Sequence, residues 1–189
     1  QQLQPGKTEQ SISAPHFPIT SSDRNLKILA SSRVIFINTS KGSSPASRTN
    51  KLEAEITVEL LNSIYAHIAQ QFSAYTVGVI TPWRAQISAI RSQMSNEDIR
   101  NKVSVDTVER YQGSEREIII ISLSTSDSSQ LDRLSQISDN GKVDRKLNVA
   151  VTRAQHQLII LGDAPLLYQN RHYGELIDHI KHKGRYIDD

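Results

Sequence analysis

Five short apolar runs alternate with longer segments of helical periodicity along the chain. The runs are rich in β-branched residues and nearly free of polar ones, which is typical of strands buried on both faces of a parallel sheet. They cover residues 34–38, 77–81, 103–108, 118–123 and 158–162. Strand, helix and strand in repetition imply right-handed crossovers, and the pattern predicts a layered α/β domain.

The segment between the first two runs predicts a long amphipathic helix. Its apolar stripe recurs every four residues, as one face of a helix requires. The stripe consists of Leu52, Ile56, Leu60, Ile64 and Ile68. Asn50 and Glu53 stand where a capping box would open this helix.

Two further helices are predicted, one after the second apolar run and one before the last. One runs from Trp83 through Ile90, and the other ends near Ala154. Between them, residues 124–138 are polar and loop-like, with enough leucine and isoleucine for one short helix. A final amphipathic helix is predicted close to the C-terminus, with its histidines facing solvent.

Composition limits the class of protein. The 189 residues suit one domain with a real core. Residues 1–30 are rich in Ser, Gln and Pro and predict a connector or arm ahead of a domain at residues 31–189. The first residues carry neither an initiator methionine nor a signal-peptide pattern, so we expect a piece of a longer protein. The absence of cysteine fits a reducing compartment, which favours the cytoplasm or, in a eukaryote, the nucleus.

The net charge of the chain does not by itself indicate a nucleic-acid-binding protein. Lys and Arg number 22 against 20 Asp and Glu, so any nucleic-acid contact must rest on a local surface. No apolar run approaches the roughly 20 residues that a membrane span needs, and we expect no membrane partner.

The crevice beyond the carboxyl ends of the strands is the expected working surface of an open α/β sheet. After the second run, Thr81 can cap a helix and Pro82 fits its first position. The same helix start, with Arg84 beside it, can instead bind an anion through its unpaired N–H groups. Spacing alone leaves both interpretations open.

Arg153 is the second candidate. A 100° step per residue places Leu147, Ala150, Val151 and Ala154 on one buried face, with Arg153 near the helix end by the crevice. Such an arginine either faces solvent and complements the helix dipole or contacts a phosphate. Composition does not choose between the two.

The combination of motifs resembles the superfamily 1B helicases, the group of the nonsense-mediated-decay and senataxin-type enzymes. The matching segments, in the family's order, are VGVITPWRAQ, TVERYQGSE and RKLNVAVTRAQHQLIILGD. The resemblance covers about residues 34–181 and implies the second of two RecA-like domains. That domain closes over ATP and Mg²⁺ bound mainly by the first RecA-like domain, while both domains grip single-stranded DNA or RNA.

The resemblance also implies roles for individual residues. Arg153 matches the catalytic arginine finger that reaches the γ-phosphate. Gln112, Gly113 and Glu115 match the QGxE element, in which the glutamate helps to hold the nucleotide through ribose hydroxyls. The residues that the resemblance places at the nucleic-acid face or the neighbouring cleft are Thr81, Pro82, Trp83, Gln86, Thr107 and Thr152.

Some positions depart from the family pattern. Glu109 stands where aspartate is usual, and Thr125 where an arginine is common. The chain has no GxxxxGK[ST] loop and no acidic magnesium motif after a strand, and both belong to the first domain. We therefore expect the isolated chain not to hydrolyse ATP. His179 and His182 share a helix face, but no third ligand type completes a recognisable site, and no metal site is predicted.

Two functions remain open at this point. The favoured one is the C-terminal motor domain of an ATP-dependent helicase or translocase. The alternative is a helicase-derived domain that binds nucleic acid or protein without working as a motor.

Overall fold

The computed structural model describes residues 17, 21–42, 48–111, 115–138 and 141–188. The strands within these ranges are β1 (Val34–Asn38), β2 (Val77–Ile80), β3 (Ser104–Asp106), β4 (Arg116–Ser122), β5 (Ala154–Gly162) and β6 (Arg185–Asp188). They form one sheet in the order β3-β2-β4-β5-β1-β6, and each neighbouring pair is parallel. The predicted layered α/β fold is confirmed as RecA-like.

Helices cover both faces of the sheet. They are α1 (Arg24–Ser31), α2 (Lys51–Ile68), α3 (Arg84–Gln93), α4 (Glu97–Lys102), α5 (Leu131–Leu134), α6 (Arg145–Val151), α7 (Ala164–Leu167) and α8 (Arg171–Lys183). Residues of α1 to α4 pack on one face and residues of α5 to α8 on the other. Alternate strand residues such as Ile159 and Ile160 therefore belong to two separate cores.

The long helix α2 and its cap agree with the sequence pattern. Asn50 is the N-cap, and its side-chain oxygen accepts the backbone N–H of Glu53 at 3.1 Å. The reciprocal half of a capping box is not formed, because the backbone N–H of Asn50 donates to the side chain of Gln86. The helix start is thereby tied to α3.

The helix before β5 is shorter than predicted. It ends at Val151 rather than near Ala154. The backbone N–H of Arg153 turns back to Ala150, and Ala154 already pairs with Arg116 in the sheet. Pairing with β4 therefore ends the helix three residues early.

The predicted capping role of Thr81 is also wrong. Helix α3 begins at Arg84 with Trp83 as its N-cap, and Thr81 lies before it. The backbone N–H of Thr81 donates to Asp106 at 3.1 Å, which keeps Thr81 in the sheet ladder. Its hydroxyl accepts the N–H of Trp83 at 3.5 Å, a local turn contact outside the helix.

Helix α1 was not predicted from the sequence, although it falls within residues 1–30. Asp23 caps it, and Leu26 and Leu29 are buried in the core next to α2. This part of the segment packs as part of the domain. None of the helices in the described ranges is long and apolar enough to span a membrane.

Candidate functional site at two edges of the sheet

The predicted site residues divide between opposite edges of the sheet. Thr81 and Thr107 follow β2 and β3 and lie at the carboxyl edge, whereas Glu115 and Arg153 precede β4 and β5 and lie at the amino edge. The expectation that Arg153 borders the carboxyl-edge crevice is therefore wrong. Arg153 ends the connection that leads into a strand, and parallel strands all begin at one edge. The seven residues of β4 separate the two edges by about 20 Å.

At the amino edge, Glu115 and Arg153 are brought together by adjacent strands. The backbone N–H of Arg116 donates to the carbonyl of Arg153 at 3.0 Å. The side-chain amide of Gln155 donates to the Glu115 carboxylate at 3.1 Å. A carboxylate and a guanidinium thus stand at the starts of neighbouring strands.

The Arg153 side chain is half-buried and only partly bonded. Its Nε donates to the carbonyl of Val149 at 3.2 Å, which anchors the guanidinium to the end of α6. Its terminal nitrogens make no hydrogen bond or ion pair with any described residue. The remaining N–H donors of the planar guanidinium group are available to an anion.

Helix α6, which ends two residues before Arg153, is fixed at its start by Asp144. Oδ1 of this buried carboxylate accepts backbone N–H groups from Gln136, Lys146 and Leu147 at 3.0–3.1 Å. Gln136 lies in the polar segment 124–138. That segment therefore helps to hold the start of α6 in place.

The segment predicted to bind the nucleotide is described only in part. Gln112 and Gly113, predicted to bind the nucleotide, lie outside the described residues. Glu115 is exposed, as a contact to ribose hydroxyls requires.

At the carboxyl edge, the starts of two connections meet. Thr81 bonds to Asp106 through the backbone, and the Asp106 carboxylate accepts the N–H of Thr107 at 2.9 Å. Trp83 is only 7% exposed, and the guanidinium of Arg48 lies 5.6 Å from its ring centroid. Pro82, between Thr81 and Trp83 in the sequence, is half-buried. Thr81 itself is fully buried, so Pro82, Thr107 and a small part of Trp83 form the surface at this edge.

Gln86 is placed inside the protein rather than on that surface. Its side chain is fully buried and donates to Asn50 O and Ser122 Oγ, both at 3.0 Å. A contact with nucleic acid would require these bonds to open. In the structure, Gln86 holds the starts of α2 and α3 against the end of β4.

Thr152 lies apart from the other residues predicted to bind nucleic acid. It is exposed at the amino edge beside Arg153, and its hydroxyl donates to the Val149 carbonyl at 3.1 Å. The structure thus groups Thr152 with the predicted nucleotide residues.

Glu53 is a buried carboxylate that joins several elements at the carboxyl edge. Its two oxygens accept hydrogen bonds from Thr39, Asn50, Ser122 and the backbone N–H of Ser124, at 2.7–3.3 Å. Desolvation by burial raises the pKa of Glu53 to about 7, in spite of these bonds. The bond to Ser124 holds a residue with φ of 48°, in the left-handed region.

A cavity of about 440 Å³ opens beside Trp83 on the α6 face of the sheet. Glu109 and Lys146 line it and form an ion pair at 3.4 Å. Desolvation raises the pKa of Glu109. Its hydrogen bonds, including one from Thr107, and the charge of Lys146 outweigh that effect, so the pKa is lowered overall.

Thr125, which replaces a common arginine, is buried and donates to the carbonyl of Leu123 at 3.0 Å.

The C-terminal histidines His172, His179 and His182 lie on α8. In the ranges that the structure describes, no three His, Cys, Asp or Glu side chains are grouped to hold a metal ion. His182 is engaged at Nδ1 with the Asp178 carbonyl of its own helix.

The sequence pattern did not predict the contacts of two residues, Glu53 and Gln155. Glu53 was interpreted as part of a cap, although its spacing to Thr57, Leu60 and Ile64 already placed it on the buried face of α2. Gln155, which bridges to Glu115, had no signal, since an exposed glutamine at a strand start is ordinary.

The sequence of the chain is similar to those of known proteins. A protein-family model described as an AAA domain matches residues 2–165. The chain is 31% identical over 160 residues to the DNA replication ATP-dependent helicase/nuclease DNA2 of Bos taurus, covering 82% of the chain and 14% of that relative. It is 36% identical over 129 residues to the RNA helicase Mov10l1 of Homo sapiens, covering 66% of the chain and 10% of that relative.

The DNA2 protein of Xenopus laevis is 34% identical over 165 residues, 84% of the chain and 15% of the relative. The chain therefore spans only about a tenth to a seventh of the length of these proteins. Family match, parallel sheet and motif order agree: the chain belongs to the superfamily 1B helicases, as their C-terminal RecA-like domain.

Proposed function

We propose that this chain is the second motor domain of an ATP-dependent helicase or translocase. The observation that carries the proposal is the division of the predicted site between two edges of one sheet. Glu115 and Arg153 adjoin at the amino edge, and Thr81 and Thr107 adjoin at the carboxyl edge. A motor needs a nucleotide site and a strand site that are separate and rigidly connected.

At the amino edge, Arg153 acts as the arginine finger. The first RecA-like domain of the same polypeptide holds most of the ATP and its Mg²⁺, which neutralises charge on the β- and γ-phosphates. The free donors of the Arg153 guanidinium stabilise the charge that builds on the γ-phosphoryl group during transfer. Glu115, which Gln112 and Gly113 precede in the sequence, accepts hydrogen bonds from the ribose hydroxyls. Thr152 lies beside Arg153 at this edge.

At the carboxyl edge, single-stranded nucleic acid contacts the surface formed by Pro82, Trp83 and Thr107, and the buried Thr81 supports that surface from within. Hydroxyl and backbone groups bind phosphates there, and Gln86 supports the surface from within. Such contacts do not distinguish DNA from RNA. The protein acts where single strands occur, in the cytoplasm or, in a eukaryote, the nucleus.

Strand β4 connects the two edges mechanically. Arg116 at its start bonds to Arg153, and Ser122 at its end bonds to both Glu53 and Gln86. Closure of the domains on ATP therefore moves the strand-binding surface as one body with the finger.

The test is ATP hydrolysis by the full polypeptide that carries this domain, with and without single-stranded oligonucleotide. We expect hydrolysis that rises steeply when the strand is added, together with directional displacement of a labelled complementary strand. A polypeptide that binds the oligonucleotide but shows no strand-stimulated hydrolysis would overturn the motor assignment and favour a non-catalytic binding domain.

A further inference from the structure

A groove of about 610 Å³ opens at the amino edge of the sheet, on the face that α8 covers. The starts of β1 and β5 form one wall, and the C-terminal half of α8 forms the other. The floor is aliphatic and consists of Val34, Val151, Ala154, Leu158 and Leu176. All of these except Leu158 are only half-buried, so folding leaves apolar surface open in this groove.

Basic side chains line both walls of the groove. Arg33 and His156 lie on the strand side, and His179 and Lys183 lie on α8. Leu176, His179 and Lys183 follow one another at intervals of three and four residues, which places them on one face of the helix. Among the described residues that line the groove, none is Asp or Glu. The groove therefore joins an aliphatic floor to basic rims.

Hydrogen bonds along the strand wall fix its shape. Nε of Arg33 donates to the carbonyl of His156 at 3.0 Å, and a terminal nitrogen of the same guanidinium donates to the carbonyl of Gln155 at 3.2 Å. The buried amide of Gln157 donates to two backbone carbonyls, in α1 and just after it, at 2.6 and 2.8 Å. The starts of β1 and β5 are thereby held together. A preformed groove binds a partner with a smaller loss of conformational freedom.

We propose that this groove binds an acidic amphipathic helix of a partner protein. Aliphatic side chains on one face of such a helix fill the floor, as in other complexes in which a helix lies in an apolar groove. Carboxylates beside that face pair with the basic rims through charge-assisted hydrogen bonds. Charge and apolar surface thus select the same partner, whereas a basic helix would be repelled from both walls.

A nucleic-acid strand fits the groove less well than a peptide. Proteins that hold single strands without sequence preference stack the bases on aromatic side chains. No Phe, Tyr or Trp is among the described residues that line this groove. The basic rims could contact phosphates, but the aliphatic floor offers no π-face to a base.

The experiment measures the binding of fluorescently labelled helical peptides to the full polypeptide by fluorescence anisotropy. The acidic probe carries leucines along one helix face with glutamates beside them, and the basic probe has lysine in place of each glutamate. We expect the acidic probe to bind more tightly by about 10-fold or more, the order expected for a hydrogen bond between charged groups. Binding should weaken as salt rises.

Variants test whether the acidic probe occupies the groove. Lys183→Glu, at an exposed position, should weaken its binding by about 10-fold or more, and Leu176→Ala should weaken it because apolar contact area is lost. Lys181→Glu is the matched control. Lys181 lies on the same helix, but its ammonium group lies over the rings of Tyr168 and Tyr186 and does not line the groove. This variant should bind the probe like the parent, and thermal melts check that each variant is folded.

Three results would overturn the proposal. The first is equal affinity of the acidic and basic probes, or parent-level binding of the acidic probe by Lys183→Glu. The second is a full polypeptide that binds neither probe, which would mean that another part of the same protein, such as the first RecA-like domain, covers the groove. The third is an oligonucleotide that loses affinity in Lys183→Glu while the acidic probe does not, which would make the groove a nucleic-acid surface.

Discussion

The side-chain amide of Gln155 donates a hydrogen bond to the carboxylate of Glu115 at 3.1 Å, across the starts of β5 and β4. This bond orients a carboxylate that is otherwise exposed to solvent. It also connects the strand that follows Arg153 to the loop predicted to hold the nucleotide. The starts of β4 and β5 are therefore joined by a side-chain hydrogen bond as well as by the sheet.

Removal of the Glu115 carboxylate should weaken nucleotide binding. We expect Glu115→Ala to raise KM for ATP by about 10-fold, since a hydrogen bond to a charged group contributes about 1.5–3 kcal/mol. Steady-state hydrolysis by the full polypeptide measures the effect. Glu117→Ala is the control, because Glu117 is exposed two residues further along β4. Equal KM values for Glu115→Ala and the parent would remove Glu115 from the site.

Glu53 should make the stability of the domain depend on pH. The ordinary pKa of its carboxyl is 4.5, and burial raises the pKa to about 7 in the folded state. Between these values the folded protein holds a proton that the unfolded chain releases, so stability falls as pH rises. The contribution is complete below pH 4.5 and is lost as pH rises through 7, by up to about 3 kcal/mol.

The measurement is urea unfolding of the parent and Glu53→Gln at pH 5, 6, 7 and 8. The amide that replaces the carboxyl group cannot titrate, so we expect a flatter pH profile for the variant over this range, whatever its overall stability. Glu59→Gln, on the exposed side of the same helix, should keep the parent profile. Parallel profiles for Glu53→Gln and the parent would show that Glu53 keeps an ordinary pKa.

The sheet and its main crossovers could be predicted from the sequence because buried parallel strands are continuous β-branched runs. Helix α1 was missed because its few buried residues, Leu26 and Leu29, follow a Ser-rich and Pro-rich stretch that hides their period. The site was harder to predict. Sequence placed Arg153 beside a helix end, but only the pairing of Arg116 with Ala154 shows at which edge of the sheet it lies. The burial of Glu53 and Gln86 likewise depends on partners distant in sequence.

Gly78 should be required for the support of Arg116. A Cβ at this position would lie 2.6 Å from Tyr111 Oη and 2.9 Å from Arg116 Cγ. Gly78→Ala should therefore lower the free energy of unfolding by about 1–3 kcal/mol, as overpacking of a core does. Gly174→Ala is the control, since its Cβ would meet its nearest neighbour at 3.3 Å within a helix that favours alanine. Thermal melts of equal midpoint for Gly78→Ala and the parent would contradict the close packing of Tyr111 on β2.

The isolated chain should bind single strands weakly. It supplies only one wall of the proposed strand site, so we expect low affinity that falls further as salt rises, because phosphate contacts release counterions. Fluorescence anisotropy of a labelled oligonucleotide at 50 and 200 mM salt measures both properties. Tight binding that does not change with salt would contradict a site shared between two domains.

The most direct test of the account is the rate of ATP hydrolysis by Arg153→Ala in the full polypeptide with saturating oligonucleotide. Arg153 adds no volume to the core and keeps its terminal nitrogens free of described partners, so the variant should melt close to the parent. Its turnover should fall by roughly 10²-fold or more. Arg153→Lys should not restore turnover, because the lysine ammonium group lacks the planar set of N–H donors of a guanidinium group. Arg145→Ala, at the exposed start of α6, should hydrolyse ATP at the parent rate. Parent-level turnover by Arg153→Ala would contradict the arginine-finger assignment, and a melting point far below the parent's would make Arg153 a structural residue instead.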